Sequence, residues 1–270
     1  MIQMVQMIEE ELAAAGLHLN VSKTKLLTTD SNERVPQHVE IGNAWVEVLT
    51  DGDTHKYLGR KLSGDVTQRS AVDFAARIQA AWGRFHQHQT VLLNKDVSIA
   101  LRLKMFDAVV TPAVLFGSVT LPLTQRQLFR LDSTQRRMLR SIIGWPRNSA
   151  EDWRANMRRM NEKLETTMEL HPMQLWTDRL YLRQFRLATS FASKTNKWPI
   201  LAASWSPLDD WKLNFVTKPR RRRGRPSCRW DDRLSNFAEC RLKSSWPEAA
   251  KRRQQWVAEE QFFLNFCRLQ

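Results

Sequence analysis

The sequence predicts an α+β chain: a small antiparallel sheet with one helix near the N-terminus, followed by a mostly α-helical remainder. Three observations predict it. Between Gly16 and Leu62, short β-rich runs alternate with turn residues; Val39-Glu40-Ile41 and Ala44-Trp45-Val46-Glu47-Val48, joined at Gly42-Asn43, read as a β-hairpin. From Val72 onward apolar residues recur at spacings of three and four, the period of a helix face. Glycine and proline punctuate the pattern, as at Gly16 and at Gly144-Trp145-Pro146.

In order, Ile2, Val5, Ile8, Leu12 and Ala15 make residues 2–15 an amphipathic helix, with Gly16 as its stop. A strand then runs through Leu19 and Val21, and a lysine-bearing turn leads on. Lys56 to Leu62 is a further short strand broken by Gly59, where a glycine marks a bulge or a close backbone approach. Val72 to about Gln89 is helical, with Val72, Ala75, Ile78, Trp82 and Phe85 on one side. His86 and His88 lie two apart and point away from each other, a poor metal pair. Asp96 caps a helix from Val97 to about Val110 whose core stripe is Ile99, Leu103, Phe106 and Val110. The helix from Gln125 to Ile143 has Leu128, Leu131, Met138 and Ile142 on its apolar side, and Arg126, Arg130, Arg136, Arg137 and Arg140 besides. Residues 147–217 suggest two or three helices, with Pro172 near the start of one and loops at Trp198-Pro199, Trp205-Ser206-Pro207 and Asp209-Asp210-Trp211. Asp231 and Asp232 sit in the first turn of a helix carrying Leu234, Phe237 and Leu242, where acids suit the helix dipole. A last helix, opened by Pro247, places Ala249, Trp256 and Phe263 at heptad spacing, with Val257 and Leu264 alongside.

Charge narrows the function. Lysine and arginine outnumber aspartate and glutamate by 42 to 28, a net +14, which implies an anionic partner such as nucleic acid. The densest run is Lys218-Pro219-Arg220-Arg221-Arg222-Arg223-Gly224-Arg225-Pro226. Its prolines and glycine keep it extended, and like charges this close repel until an anion relieves them. Arg223-Gly224-Arg225-Pro226 matches the core of the AT-hook, whose arginines enter narrow A·T minor grooves; the same run suits a nuclear localisation signal. Cys228, Cys240 and Cys267 are odd in number and widely spaced, which argues for a reducing compartment and against a zinc finger. The apolar run from Ala108 to Leu123 is interrupted by Pro112, Gly117 and Pro122 and falls short of the ~20 residues of a membrane span, so it reads as buried. The start lacks signal-peptide regions. No membrane partner is expected, and the location is intracellular, nuclear or cytoplasmic.

Gly16-Leu17-His18-Leu19-Asn20-Val21-Ser22-Lys23-Thr24, followed by Tyr57-Leu58-Gly59, resembles the last two palm motifs of reverse transcriptases of the non-LTR retrotransposon (LINE) type. Leu101 to Gly117, with its Pro112 and terminal Phe116-Gly117, resembles the thumb of those enzymes. Arg225-Pro226-Ser227-Cys228-Arg229-Trp230-Asp231-Asp232, with Trp246, Ala249-Ala250, Arg253 and Trp256 after it, is similar to their Arg-Pro-x-x-Arg-Trp-x-Asp-Asp tail. The likeness covers nearly the whole chain in order. Arg179-Leu180-Tyr181-Leu182-Arg183-Gln184-Phe185 departs from the family pattern.

The resemblance implies a division into the end of the palm (1–66), a helical thumb (67–146), a helical connector (147–217) and an Arg-rich strip with C-terminal helices (218–270). It makes Lys23 the palm lysine, with at most an accessory catalytic role, and Tyr57, Leu58 and Gly59 the primer grip. Lys25, Arg60, Lys61, Arg130, Arg137, Arg220, Arg221, Arg222, Arg223 and Arg225 complete the expected nucleic-acid contacts, to an RNA–DNA hybrid or duplex. On the residues alone, arginines on a helix read as a solvated face; the resemblance sets phosphate contact beside that reading as its equal. The family's Tyr/Phe-Ala-Asp-Asp motif lies just before such a stretch, and one helix precedes it here. The expectation is therefore a polymerase fragment that grips primer–template without autonomous activity, partnered by the missing fingers and palm half. The complete family enzyme would use Mg2+, and these residues alone are expected to bind no metal or cofactor. Two alternatives stand beside it: a domesticated nucleic-acid or chromatin-binding protein built on the AT-hook-like strip, and an interaction module whose basic face meets an acidic protein.

Overall fold

The computed structural model describes residues 2–18, 20, 22–27, 36–41, 44–50, 52–144, 146, 148–194, 198–205 and 228–269. The architecture is α+β. Two units divide the chain, Met1–Asp73 and Phe74–Gln270.

The first unit opens with α1 (Ile2–Ala14). Gly16 takes φ +71°, the left-handed conformation that glycine enters without a Cβ penalty. The Leu17 N–H then reaches back to the Leu12 carbonyl (2.8 Å) and the Gly16 N–H to Ala13 (3.0 Å), which closes the helix as expected. Val5 and Leu12 are half-buried and Ile8 is exposed, so the apolar stripe is only partly sealed.

Three strands follow: β1 (Lys25–Leu27), β2 (His38–Ile41) and β3 (Ala44–Leu49), in the order β1-β3-β2. β2 and β3 are antiparallel with Ile41 opposite Ala44, the register a two-residue connection demands; Gly42 and Asn43 lie outside the described residues. β1 runs parallel to β3, so this sheet is mixed rather than purely antiparallel. Residues 28–43 separate the two strands, and parallel pairing needs a crossover of about a dozen residues or more. The first strand was expected through Leu19 and Val21. Those two lie outside the described residues, and the strand that forms, Lys25–Leu27, follows the lysine turn. In β3, Val46 and Val48 are buried while Trp45 and Glu47 are exposed, the period of two that one buried face imposes.

β4 (Thr54–Tyr57) and β5 (Arg60–Ser63) make a separate antiparallel hairpin. Here the bulge expected at Gly59 is corrected: Leu58 and Gly59 are the two residues of the turn, and Tyr57 faces Arg60 across it.

α2 (Arg69–Gln87) begins in the first unit and continues in the second. Its buried stripe is Phe74, Ile78, Ala81 and Phe85; Ala75, expected on that side, is exposed. After α3 (Gln89–Leu92) comes α4 (Ile99–Val109). Its N-cap is Ser98, whose hydroxyl accepts from the Leu101 N–H, and not Asp96. Serine supplies the same short oxygen two residues nearer the helix. Leu103, Phe106 and Val110 are buried, and Ile99 packs against them.

α5 (Thr111–Leu115) turns off at Pro112 and ends at Phe116, where Gly117 has φ +65°. α6 (Gln125–Ile143) has the predicted bounds. A capping box starts it, Thr124 and Gln127 satisfying each other's backbone donors, and Gly144 at φ +87° ends it. α7 (Trp153–Leu170) and α8 (Trp176–Ala192) follow. α9 (Trp198–Ala203) corrects the loop expected at Trp198-Pro199, because proline is tolerated in a first helical turn, where its missing N–H would have no partner.

α8 lies at the centre of the core, with Trp176, Leu180, Tyr181, Phe185 and Ala188 buried. Trp256 stacks on Phe185 (4.3 Å between ring centroids) and Trp176 on Phe106 (5.9 Å). α10 (Asp232–Phe237) runs into a π-turn, Ala238–Leu242. The single last helix expected from Pro247 is instead three: α11 (Trp246–Lys251), α12 (Arg253–Ala258) and α13 (Glu260–Arg268), broken where Arg252 leaves helical geometry at ψ 68° and at Glu259. Ala249, Trp256, Phe263 and Leu264 are buried nonetheless; Val257 is exposed.

Candidate nucleic-acid interface

In the first unit, the hairpin tip is the strained point. The type I′ two-residue turn, one of the two forms matched to strand twist, has positive φ at both positions, and here they are Leu58 (φ 46°) and Gly59 (φ 78°). Glycine adopts this at no steric penalty. For leucine it costs about 1–2 kcal/mol, since Cβ approaches the next carbonyl. Burial does not compensate: Leu58 is 77% exposed and Tyr57 58%. Strain of this kind persists where surrounding structure over-determines it, and it clusters at functional sites.

The surroundings do hold the hairpin. Asp73 is buried; one of its carboxylate oxygens takes the Arg60 guanidinium, and the other accepts the Lys61 backbone N–H at 3.0 Å. Arg69 donates to the Ser63 carbonyl at 2.9 Å. Arg60 therefore anchors the hairpin, while the Lys61 side chain stays exposed. Directly opposite Lys61 stands Lys56, also exposed. Like charges facing each other across a strand pair destabilise it, and a bound anion relieves the repulsion. Lys56 was missed in the sequence; placing Leu58-Gly59 as a two-residue turn would have paired it with Lys61.

The lysine turn is built by Asn20. Its side-chain oxygen accepts from the Ser22 hydroxyl (2.8 Å) and the Lys23 N–H (3.2 Å), and its carbonyl from the Thr24 N–H (2.9 Å). This leaves Lys23 exposed, with no ion pair among the described residues. Lys25 is engaged differently: its ammonium meets Glu47 on β3 at 2.5 Å, and that hydrogen bond holds the Glu47 carboxyl below the usual range.

In the second unit, the α6 arginines separate into two groups. Arg136 pairs with Glu165 (3.2 Å), and Arg140 donates to Asn161 (3.0 Å). Partial burial, then the neighbouring charges of Arg136 and Arg137, lower the Arg140 pKa from its ordinary value. Arg137 lies over the Trp82 ring at 5.4 Å. Arg126 and Arg130 have no ion pair among the described residues, and with Phe129, itself 75% exposed, they share one helix face at positions i, i+3 and i+4. Phe129 went unnoticed because the apolar pattern, not exposure, was what the sequence displayed. Arg220, Arg221, Arg222, Arg223 and Arg225 lie outside the described residues.

Asp231 and Asp232, expected in the first turn of a helix, stand at its N-cap and first position and have structural partners. Asp231 is buried and accepts from the Trp246 indole (3.0 Å); Asp232 accepts the Arg229 N–H (2.8 Å). The Arg-Trp-Asp-Asp run is thus a packing motif, with the Trp230 indole donating to the Val119 carbonyl. Among the described residues no group of three or more His, Cys, Asp or Glu is placed to hold a metal ion. No helix among them is long and apolar enough to cross a membrane.

The chain is 24% identical, over 266 residues, to an uncharacterized transposon-derived protein of Caenorhabditis elegans, an alignment covering 95% of this chain and 87% of that protein. No protein-family model and no solved structure matches.

Proposed function

We propose that this chain carries the primer–template-binding elements of a non-LTR-type reverse transcriptase and that it binds nucleic acid through them. The observation that carries the reading is the hairpin tip. An exposed Leu58 is held at positive φ beside Tyr57, and two exposed lysines, Lys56 and Lys61, face each other one position behind it. A flat ring and an apolar tip suit the end of a strand, and two lysines suit its phosphates. The exposed Lys23 and the Arg126–Phe129–Arg130 face of α6 offer further cationic contacts of the same kind. The similarity to a transposon-derived protein supports a transposable-element origin. The net charge of +14 supports a polyanionic partner.

The test is binding of a labelled RNA–DNA primer–template by the full chain across a salt series. Each phosphate neutralised contributes ~0.9 to the slope of log affinity on log salt for B-form DNA, and the expected slope is that of several contacts. Replacing Lys56 and Lys61 together by alanine should lower it by about two contacts' worth. Salt-independent or absent binding would overturn the reading. So would an A·T-rich duplex bound in preference to the hybrid, through Arg223 and Arg225; that outcome belongs to a chromatin-binding protein.

A further inference from the structure

A groove of about 500 Å3 lies wholly within the second unit, between α2 and the elbow of α4 and α5. That volume is in the range of small-ligand sites, roughly 300–1,000 Å3. One wall is cationic. Arg77 and Arg84 lie seven apart on α2, on one helix face, and His88 stands just beyond the end of that helix. The facing wall is small and apolar: Ala108 and Val109 end α4, and Pro112 and Ala113 begin α5. At its edge stands Phe116, 51% exposed. The turn that follows fixes this ring's place: Gly117 adopts φ +65°, and the Ser118 hydroxyl returns to the Val114 carbonyl at 2.6 Å. The Arg77 guanidinium lies 5.3 Å from the Phe116 ring centroid, so cation and aromatic face meet at the groove. Among the described residues no carboxylate lines it.

Cations on one wall, an aromatic face at the edge and alanines between them separate two kinds of recognition across one short groove. Guanidinium groups take phosphate oxygens in a fork, and a half-exposed ring takes a planar base by stacking. We propose that this groove binds one nucleoside phosphate unit, with the phosphate on Arg77 and Arg84 and the base against Phe116. An acidic peptide would satisfy the cations but has no use for the ring. The groove uses none of the hairpin residues, so its occupancy is independent of the primer–template reading.

The experiment is calorimetric titration of the full chain with adenosine 5′-monophosphate, and with adenosine and inorganic phosphate as its separated halves. The nucleotide should bind at least about tenfold tighter than either half, the factor that corresponds to 1.4 kcal/mol. Arg84→Ala and Phe116→Ala, both at exposed positions, should each weaken it about tenfold. A thermal melt of each variant confirms that it is folded, and Leu58→Asn should leave nucleotide affinity unchanged. A 5′-phosphorylated trinucleotide separates the sources: tighter binding than the monophosphate marks a strand end, and weaker binding a free nucleotide. Three results would overturn the proposal. They are a nucleotide affinity equal to that of phosphate alone, full affinity in both variants, or displacement of the nucleotide by a polyglutamate peptide that binds more tightly. If primer–template binding fails while these titrations succeed, the groove stands and the hairpin reading falls.

Discussion

Replacing Leu58 by asparagine should strengthen the hairpin and weaken primer–template binding at once. Leucine at φ 46° carries about 1–2 kcal/mol of backbone strain. Asparagine enters the left-handed region far more readily, because its short polar side chain hydrogen-bonds locally. Little packing is lost, since the leucine is 77% exposed. The net gain should be about 1 kcal/mol of local stability. Amide hydrogen exchange on peptides spanning residues 54–63 reads it directly. A hairpin that opens locally should exchange about fivefold more slowly, the factor that 1 kcal/mol represents. Leu58→Gly is the control: it relieves the strain but frees the unfolded chain by about 0.5–1 kcal/mol, so exchange should change little. In the same variants, affinity for the RNA–DNA hybrid should fall because the apolar tip is gone. Faster exchange in Leu58→Asn would refute the strain argument. Unchanged affinity would refute the functional reason for tolerating the strain.

Three further outcomes follow from the second unit. Gln135 is fully buried, donates to the Gln174 carbonyl (3.1 Å) and accepts the Trp176 N–H (2.7 Å). Gln135→Leu orphans both backbone groups and should cost about 2–5 kcal/mol in chemical denaturation. Asp132 accepts the Thr177 N–H, and burial raises its pKa above the ordinary 3.8. An acid whose folded pKa is raised contributes stability in full below 3.8 and loses it as pH rises through the folded value. Asp132→Asn should therefore melt above wild type at pH 7, and the gap should close as pH falls toward 3.8. A gap that widens toward low pH would contradict this. Burial pushes the Cys267 thiol up to about 12, while Cys240 is exposed. Brief iodoacetamide treatment at pH 8, read by peptide mass spectrometry, should label Cys240 and spare Cys267.

What was legible in the sequence was periodic or punctuated. α6 has its expected ends because Thr124 and Gly144 are chemically suited to a start and a stop. The stop at Gly16 and the β2–β3 register have the same origin. What failed depended on partners distant in sequence. The parallel pairing of β1 with β3 sets Lys25 against Glu47 and removes that lysine from the exposed set. Arg60 meets Asp73, which nothing in the local pattern announces. Arg252 and Glu259 break a helix whose heptad repeat runs straight through them, because three short segments bury Ala249, Trp256 and Phe263 as well as one long helix would.

The same distinction governs the charge. A net +14 is a sum over the chain, but a polyanion responds to cations whose fields are not already neutralised nearby. Many arginines of the second unit face carboxylates: Arg159 with Glu151, Arg179 with Asp107, Arg186 with Glu260, Arg241 with Glu259 and Arg268 with Asp178. Those pairs join segments of the helical unit and present little net charge outward. Lys23, Lys56, Lys61, Arg126 and Arg130 have no such pair among the described residues, and all five are exposed. If nucleic acid is the partner, the salt slope should respond to these five and hardly at all to the paired arginines, even though the composition weights every one of them equally. Exchanging Arg186 for glutamine should leave the slope unchanged, while the same exchange at Arg130 should lower it by about one contact. Equal losses at both positions would mean that the interface runs over the helical unit without regard to local pairing, and that the hairpin has no special place in it.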